Sequence, residues 1–165
     1  MPTSLITRTR RNHALEHATL NLMARAYPLA QALGISGPGG FTIYTSLTAE
    51  EVVPAAMEAL KKLKAGEHAL RVHKNCGTNL VVTATLTASA TLFGINGKAT
   101  FRQRLERLPH LIVLNALALL AAPPVAEWIQ AHITTDSDVR EVEIASIFTD
   151  HHNGMQRIRV RTKQA

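Results

Sequence analysis

The feature that most constrains this chain is a pair of long stretches with no formal charge, Asn75–Gly97 and Leu108–Ala126. Each reaches the roughly 20 mainly apolar residues that a helix needs to cross the hydrocarbon of a bilayer. The first carries Leu80, Val81, Val82, Leu86, Leu92, Phe93 and Ile95, diluted by Thr83, Thr85, Thr87, Ser89 and Thr91. Those hydroxyls bond back to helical carbonyls or across to a neighbouring helix, so a bilayer tolerates them. The second centres on the strongly apolar Leu111–Leu120. Two such segments in 165 residues exceed the core of so small a domain. The pair therefore reads as a membrane hairpin, with a buried hairpin in a soluble domain as the alternative.

The charges lie around these segments. Lys62, Lys64, Arg71 and Lys74 precede the first, and Lys98, Arg102, Arg104 and Arg107 sit between the two. Both groups favour the cytoplasmic side of a bacterial inner membrane. A shallow re-entrant hairpin would satisfy both, and Pro123-Pro124 would shorten its second helix. A net charge of +6 suits nucleic acid or anionic lipid. The few aromatic residues do not alternate with the bases, so stacking on exposed bases fits poorly and the expected partner is the lipid bilayer, not nucleic acid. Cys76 is the only cysteine, which rules out an intrachain disulfide. No apolar run follows the basic Met1–Arg11, so no cleaved secretory signal is expected.

Outside the apolar segments the chain alternates between helix and strand patterns. Leu15, Ala18, Leu22 and Ala26 recur at helical spacing and predict a helix over Thr9–Ala26, ended by Tyr27-Pro28. Gly34–Gly40 (GISGPGG) reads as a turn-rich loop, and Phe41–Leu47 as a strand. Thr48 and Glu51 form a capping-box signal for a second helix with the stripe Met57, Leu60 and Leu63. Pro54 implies a kink there or a start nearer Val53. His68–His73 is a short strand candidate, and Thr134–Asp138 (TTDSD) a loop. In the tail, Val142–Phe148 and Met155–Thr162 alternate as two strands. A three-residue His152-Asn153-Gly154 loop would pair Phe148 with Ile158 and Glu143 with Lys163, with Gly154 at positive φ. Arg157, Arg159, Arg161 and Lys163 then line a solvated basic face, partly paired with Glu141 and Glu143.

The motif with the most chemical content is His13-Ala-Leu-Glu16-His17. Histidines at i and i+4 project from one helix face and can grip one metal ion, while the Glu beside them can act on metal-bound water as a general base. On a helical wheel His17 lies about 40° from His13 and Leu22 about 180° from it, so the metal-competent face is opposite the main apolar face. Leu20 and Ala24 continue the histidine face, which therefore looks into a second packed layer or a cleft. A third ligand is offered by His73 or Cys76, spaced H-x-x-C before the first apolar segment. The competing reading of the triplet is a buried polar cluster without an ion.

H-x-x-E-H resembles the inverted zinc motif of the pitrilysin and insulysin metallopeptidases. That resemblance implies zinc on His13 and His17 and Glu16 as the catalytic base. It covers about ten residues, and the stretch near Leu92, where that family carries its third ligand, has no Glu. Over most of its length, through RNHALEHATLNL, GPGGFTIYT and NCGTNLV, the chain resembles an uncharacterised bacterial membrane-protein family, which implies two membrane helices and no defined activity.

The sequence thus predicts an α+β fold. A small mixed sheet with two helices is built from 1–74 and 127–165 and interrupted by an apolar hairpin at 75–126. The expected function is a membrane-attached metal-binding protein, in its most specific form a small zinc-dependent hydrolase with His13, His17 and Cys76 as ligands and Glu16 as base. The rival is a non-enzymatic accessory subunit of a larger membrane complex, or a homo-oligomer.

Overall fold

The computed structural model describes residues 3–95, 97 and 100–164. Lys98 of the basic connector lies outside them. The chain divides into two compact units, Met1–His73 with Gln130–Ala165, and Lys74–Ile129.

In the first unit, α1 (Leu5–Ala26) begins before Thr9 because Ser4 caps it, its Oγ accepting the Thr7 N–H at 3.1 Å. Asn12 and every residue from Ala14 to Leu20 are buried. A helix buried all round over two turns is enclosed, and α1 packs on α2, β1, β2 and the turn at His68–Arg71. Its apolar contribution comes from Leu15, Ala18, Leu20 and Met23, whereas Ala24 and Ala26 are exposed.

The GISGPGG segment is not a loop. β1 (Ala32–Gly37) and β2 (Gly40–Thr45) pair antiparallel from Ala32↔Thr45 to Gly37↔Gly40, leaving only Pro38 and Gly39 as the turn. Leu33 and Ile35 give the first half strand character that the glycines conceal. α2 (Ala49–Lys64) starts at the expected cap, the Glu51 carboxylate accepting the Thr48 N–H at 2.8 Å. Pro54 lies inside the helix on its exposed side and does not move the start to Val53. The buried stripe is Val52, Ala56, Ala59, Leu60 and Leu63, and Met57, 53% exposed, falls outside it. His68–Arg71 is a 3-10 turn, not a strand. Asn21 Nδ2 holds it from α1, donating to the carbonyls of Leu70 at 2.9 Å and Val72 at 2.8 Å.

After the second unit the chain passes through one wide helical turn, Gln130–Thr134, into the loop that TTDSD predicted. Arg10 donates to the carbonyls of His132 and Thr135, and Arg11 lies 3.6 Å from Asp136 and 3.7 Å from Asp138. β3 (Val142–His152) and β4 (Met155–Gln164) complete a four-stranded sheet of order β1-β2-β4-β3. Strands from both sides of the apolar insertion therefore meet in one sheet, as expected, but among the described residues every pairing is antiparallel and the sheet is not mixed. Its inner face contributes Phe41, Ile43, Val142, Ile158 and Val160 to the core.

The tail hairpin corrects the expected register. Its turn is the two residues Asn153 (φ 49°) and Gly154 (φ 78°), between His152↔Met155. Two positive φ values in succession match the right-handed twist of the strands, which is why Asn-Gly is favoured there. Phe148 consequently faces Arg159, not Ile158. A bulge between Ile144 and Ser146 absorbs one residue and restores Glu143↔Lys163. The mismatch of apolar and basic phases that pointed to a longer loop is resolved inside the strand.

The second unit contains α3 (Gly77–Ile95), the short α4 (Phe101–Glu106) and α5 (Leu108–Ile129). α3 and α5 are long and apolar enough to cross a membrane. They pack on each other, with Asn115 Nδ2 donating to Thr91 Oγ1 at 3.1 Å and Gly94 lying under Leu111. Thr83, Thr85 and Thr87 each donate to the carbonyl four residues back at 2.7–2.8 Å. Pro123-Pro124 does not shorten α5, which runs through both to Ile129.

Candidate metal centre

One stripe of α1 carries His13, His17 and Asn21, each four residues from the next, so all three leave the helix in nearly the same direction. His17 is 1% exposed and its Nδ1 lies 2.6 Å from the carbonyl oxygen of Arg71. A carbonyl oxygen only accepts, so Nδ1 carries the proton and Nε2 the lone pair. That Nε2 is buried with no hydrogen-bond partner. Leaving such an atom unsatisfied costs about 1–3 kcal/mol.

His13 is oriented in the same way. Its Nδ1 lies 3.0 Å from the Thr134 carbonyl, and its ring meets that of His17 edge-on, with 4.2 Å between centroids and 62° between planes. His73 ends the segment that follows the 3-10 turn, with its ring 5.8 Å from that of His17. Its N–H donates to the buried Gln130 side chain at 2.9 Å, and its Nδ1 lies 2.9 Å from Asn21 Oδ1.

Glu16 is buried, and its carboxylate accepts a short hydrogen bond from Ser36 Oγ on β1. It also lies directly over Gly34, where any Cβ would overlap the carboxylate. Glycine at this point of β1 leaves room for the close approach of the helix side chain. Cys76 belongs to the second unit, where its Sγ lies 3.4 Å from both the N and the Oγ1 of Thr78.

Sequence reasoning missed Asn21, Gln130 and the pair Gly34–Ser36. Asn21 had a legible signal, since it repeats the spacing from His13 to His17 once more. Gln130 and Ser36 had none, because only the tertiary fold brings them to α1 and its neighbours.

The basic strand pairs differently from expectation. Arg157 makes a two-point contact with Asp150 at 2.7 and 2.6 Å, and Arg159 reaches the same carboxylate at 2.9 Å. The Arg157 guanidinium holds the Asp150 carboxyl below the ordinary range, and Asp150 in turn raises Arg157. Arg161 lies over the Phe148 ring, 5.3 Å from its centroid.

Fold and site together define a small α+β domain that carries two apolar helices as an insertion and a cluster of oriented imidazoles on its central helix. The chain belongs to the family described as "Domain of unknown function (DUF6391)", which matches residues 8–147 and so covers the histidine helix and the whole insertion. An uncharacterized protein of Picosynechococcus sp. (strain ATCC 27264 / PCC 7002 / PR-6) is 33% identical over 138 residues, 76% of this chain and 65% of that protein. The chain therefore spans less than two thirds of that relative's length. No solved structure matches.

Proposed function

We propose that this chain is a membrane-attached metal-binding protein whose ion is held by Nε2 of His13 and His17. The observation that carries the reading is the buried, partnerless Nε2 of His17, with Nδ1 of the same ring committed to a carbonyl. Histidine ligands in metal sites are oriented in this way, the second nitrogen donating to a carbonyl or carboxylate so that the first presents its lone pair. Imidazole donors suit zinc and its neighbours among the first-row divalent ions.

Membrane attachment rests on α3 and α5, whose large apolar side chains point outward where water would be a poor solvent. The lipid bilayer is the partner that suits them, and the bases around the insertion favour the cytoplasmic face of a bacterial inner membrane. A hydrolase would need Glu16 as base toward metal-bound water. Metal binding is the function adopted here, without a catalytic step.

The test is the zinc content of detergent-purified protein prepared without chelators. One ion per chain is expected, retained by Glu16→Gln and lost in His13→Ala and His17→Ala. Wild-type protein without zinc, or a His17→Ala variant that keeps it, contradicts the proposal. Peptide hydrolysis abolished by Glu16→Gln with zinc retained would restore the enzyme reading.

A further inference from the structure

We infer that His73 is a third nitrogen ligand of the same ion and that Asn21 is the residue that positions it; the inference rests on the metal-binding reading above. The argument begins with the amide of Asn21. Its Nδ2 donates to two carbonyls, Leu70 at 2.9 Å and Val72 at 2.8 Å, so its orientation is fixed by its own hydrogen bonds. The Oδ1 end consequently faces His73, 2.9 Å from Nδ1. An amide oxygen only accepts, so His73 carries its proton on Nδ1 and its lone pair on Nε2. Three imidazoles in one unit thus share a single tautomer, each fixed by an oxygen that cannot donate: Thr134 O for His13, Arg71 O for His17 and Asn21 Oδ1 for His73.

Ring spacing agrees for the two pairs that contain His17. With a metal–nitrogen bond of about 2.0–2.1 Å and tetrahedral angles, two imidazoles on one ion have centroids roughly 5 Å apart. The observed separations, 4.2 Å for His13–His17 and 5.8 Å for His17–His73, lie on either side of that value. Asn21 also ties the 3-10 turn to α1 through the carbonyls on both sides of Arg71, whose own carbonyl orients His17. One side chain therefore sets the position of two rings. Three imidazole nitrogens as donors suit a borderline transition-metal ion and not a hard, oxygen-seeking ion such as magnesium or calcium.

Cobalt(II) titration of the full chain in detergent tests this, with affinity and the visible d–d spectrum as readouts. Asn21→Ala should weaken binding about 10–100-fold, the usual effect of losing an orienting partner. His73→Ala should weaken it further and change the d–d band, because a nitrogen donor is removed. Imidazole ¹⁵N spectra of the metal-free protein should show His73 protonated at Nδ1, and should lose that single tautomer in Asn21→Ala even where circular dichroism shows the variant folded. Unchanged affinity and spectrum in His73→Ala, with binding abolished in His17→Ala, would overturn the inference and leave the metal-binding reading standing. Failure of the wild type to bind cobalt at all would remove both.

Discussion

The two units of this chain place apolar side chains in opposite ways. In the first, the large apolar residues Leu15, Ile43, Val52, Leu63 and Ile158 are at most 1% exposed. In the second, the buried residues among those described are Val82, Ala90, Ala122 and Ala126, whereas Leu80, Phe93 and Leu120 are 74–79% exposed. The polar groups are inverted as well. Among the described residues every buried polar side chain, including Asn12, His17, Thr45 and Gln130, lies in the first unit. Threonines of α3 satisfy their hydroxyls on their own helix. The first unit is ordered against water and can hold a polar site inside its core. The second has small residues inward and large ones outward, the arrangement of helices that meet through close backbone approach in lipid.

Substitutions of leucine should separate the two environments. Leu15→Ala removes a fully buried side chain beneath the sheet and should lower the stability of the first unit by about 2–5 kcal/mol, read by denaturant unfolding. Leu120→Arg, in the middle of α5, should disfavour membrane insertion by about 2.5–3.5 kcal/mol, read by carbonate-resistant membrane association in cells. In a water-soluble protein an exposed site such as Leu120 would tolerate arginine within about 0.5 kcal/mol. Normal membrane association of the Leu120→Arg protein would break the contrast between the units.

How far the sequence disclosed this fold depended on whether the deciding partner was local. The cap at Thr48, the end of α1 at Tyr27-Pro28 and the two apolar helices follow from neighbours in the chain, and all are present. Met57 was misplaced because a stripe drawn at Leu60 and Leu63 extends to it almost as well as to Ala56, and only packing chooses between them. Gly34 looked like a loop residue because the side chain that needs the glycine, Glu16, comes from another element. His68–His73 looked like a strand because nothing nearby announces that Asn21 holds its carbonyls. The candidate site shows the same division. His13, Glu16 and His17 stand out as a motif, while the acceptors that orient the rings belong to Arg71, Thr134 and Asn21.

The tail hairpin sharpens the comparison within the first unit, since it depends on backbone conformation more than on burial. Gly154→Val forces a β-branched residue to φ 78° and should cost about 1–2 kcal/mol of stability. An unchanged midpoint would argue against the two-residue turn.

The smallest effect is expected at Asp138. The Arg140 guanidinium beside it lowers its carboxyl to about 2 from 3.8. A depressed carboxyl contributes stability above its unfolded value and loses it as pH falls, here between about 4 and 2. The side chain is 42% exposed, so screening reduces the contribution to that of a surface pair, about 0.5 kcal/mol or less. Thermal unfolding of wild type and Asp138→Asn should therefore differ slightly above pH 4 and converge near pH 2. A difference that grows toward low pH would reverse the assigned sign.

The central claim is that the interior of the water-ordered unit holds an ion at His17. Zinc titration against a competing chelator near neutral pH, on full-length protein in a lipid nanodisc, tests it most directly. Stoichiometric uptake by the wild type is expected, with a loss in His17→Ala larger than the about 10–100-fold that an orienting residue accounts for. Wild-type protein that takes up no zinc, or a His17→Ala variant that binds it equally well, would contradict the account.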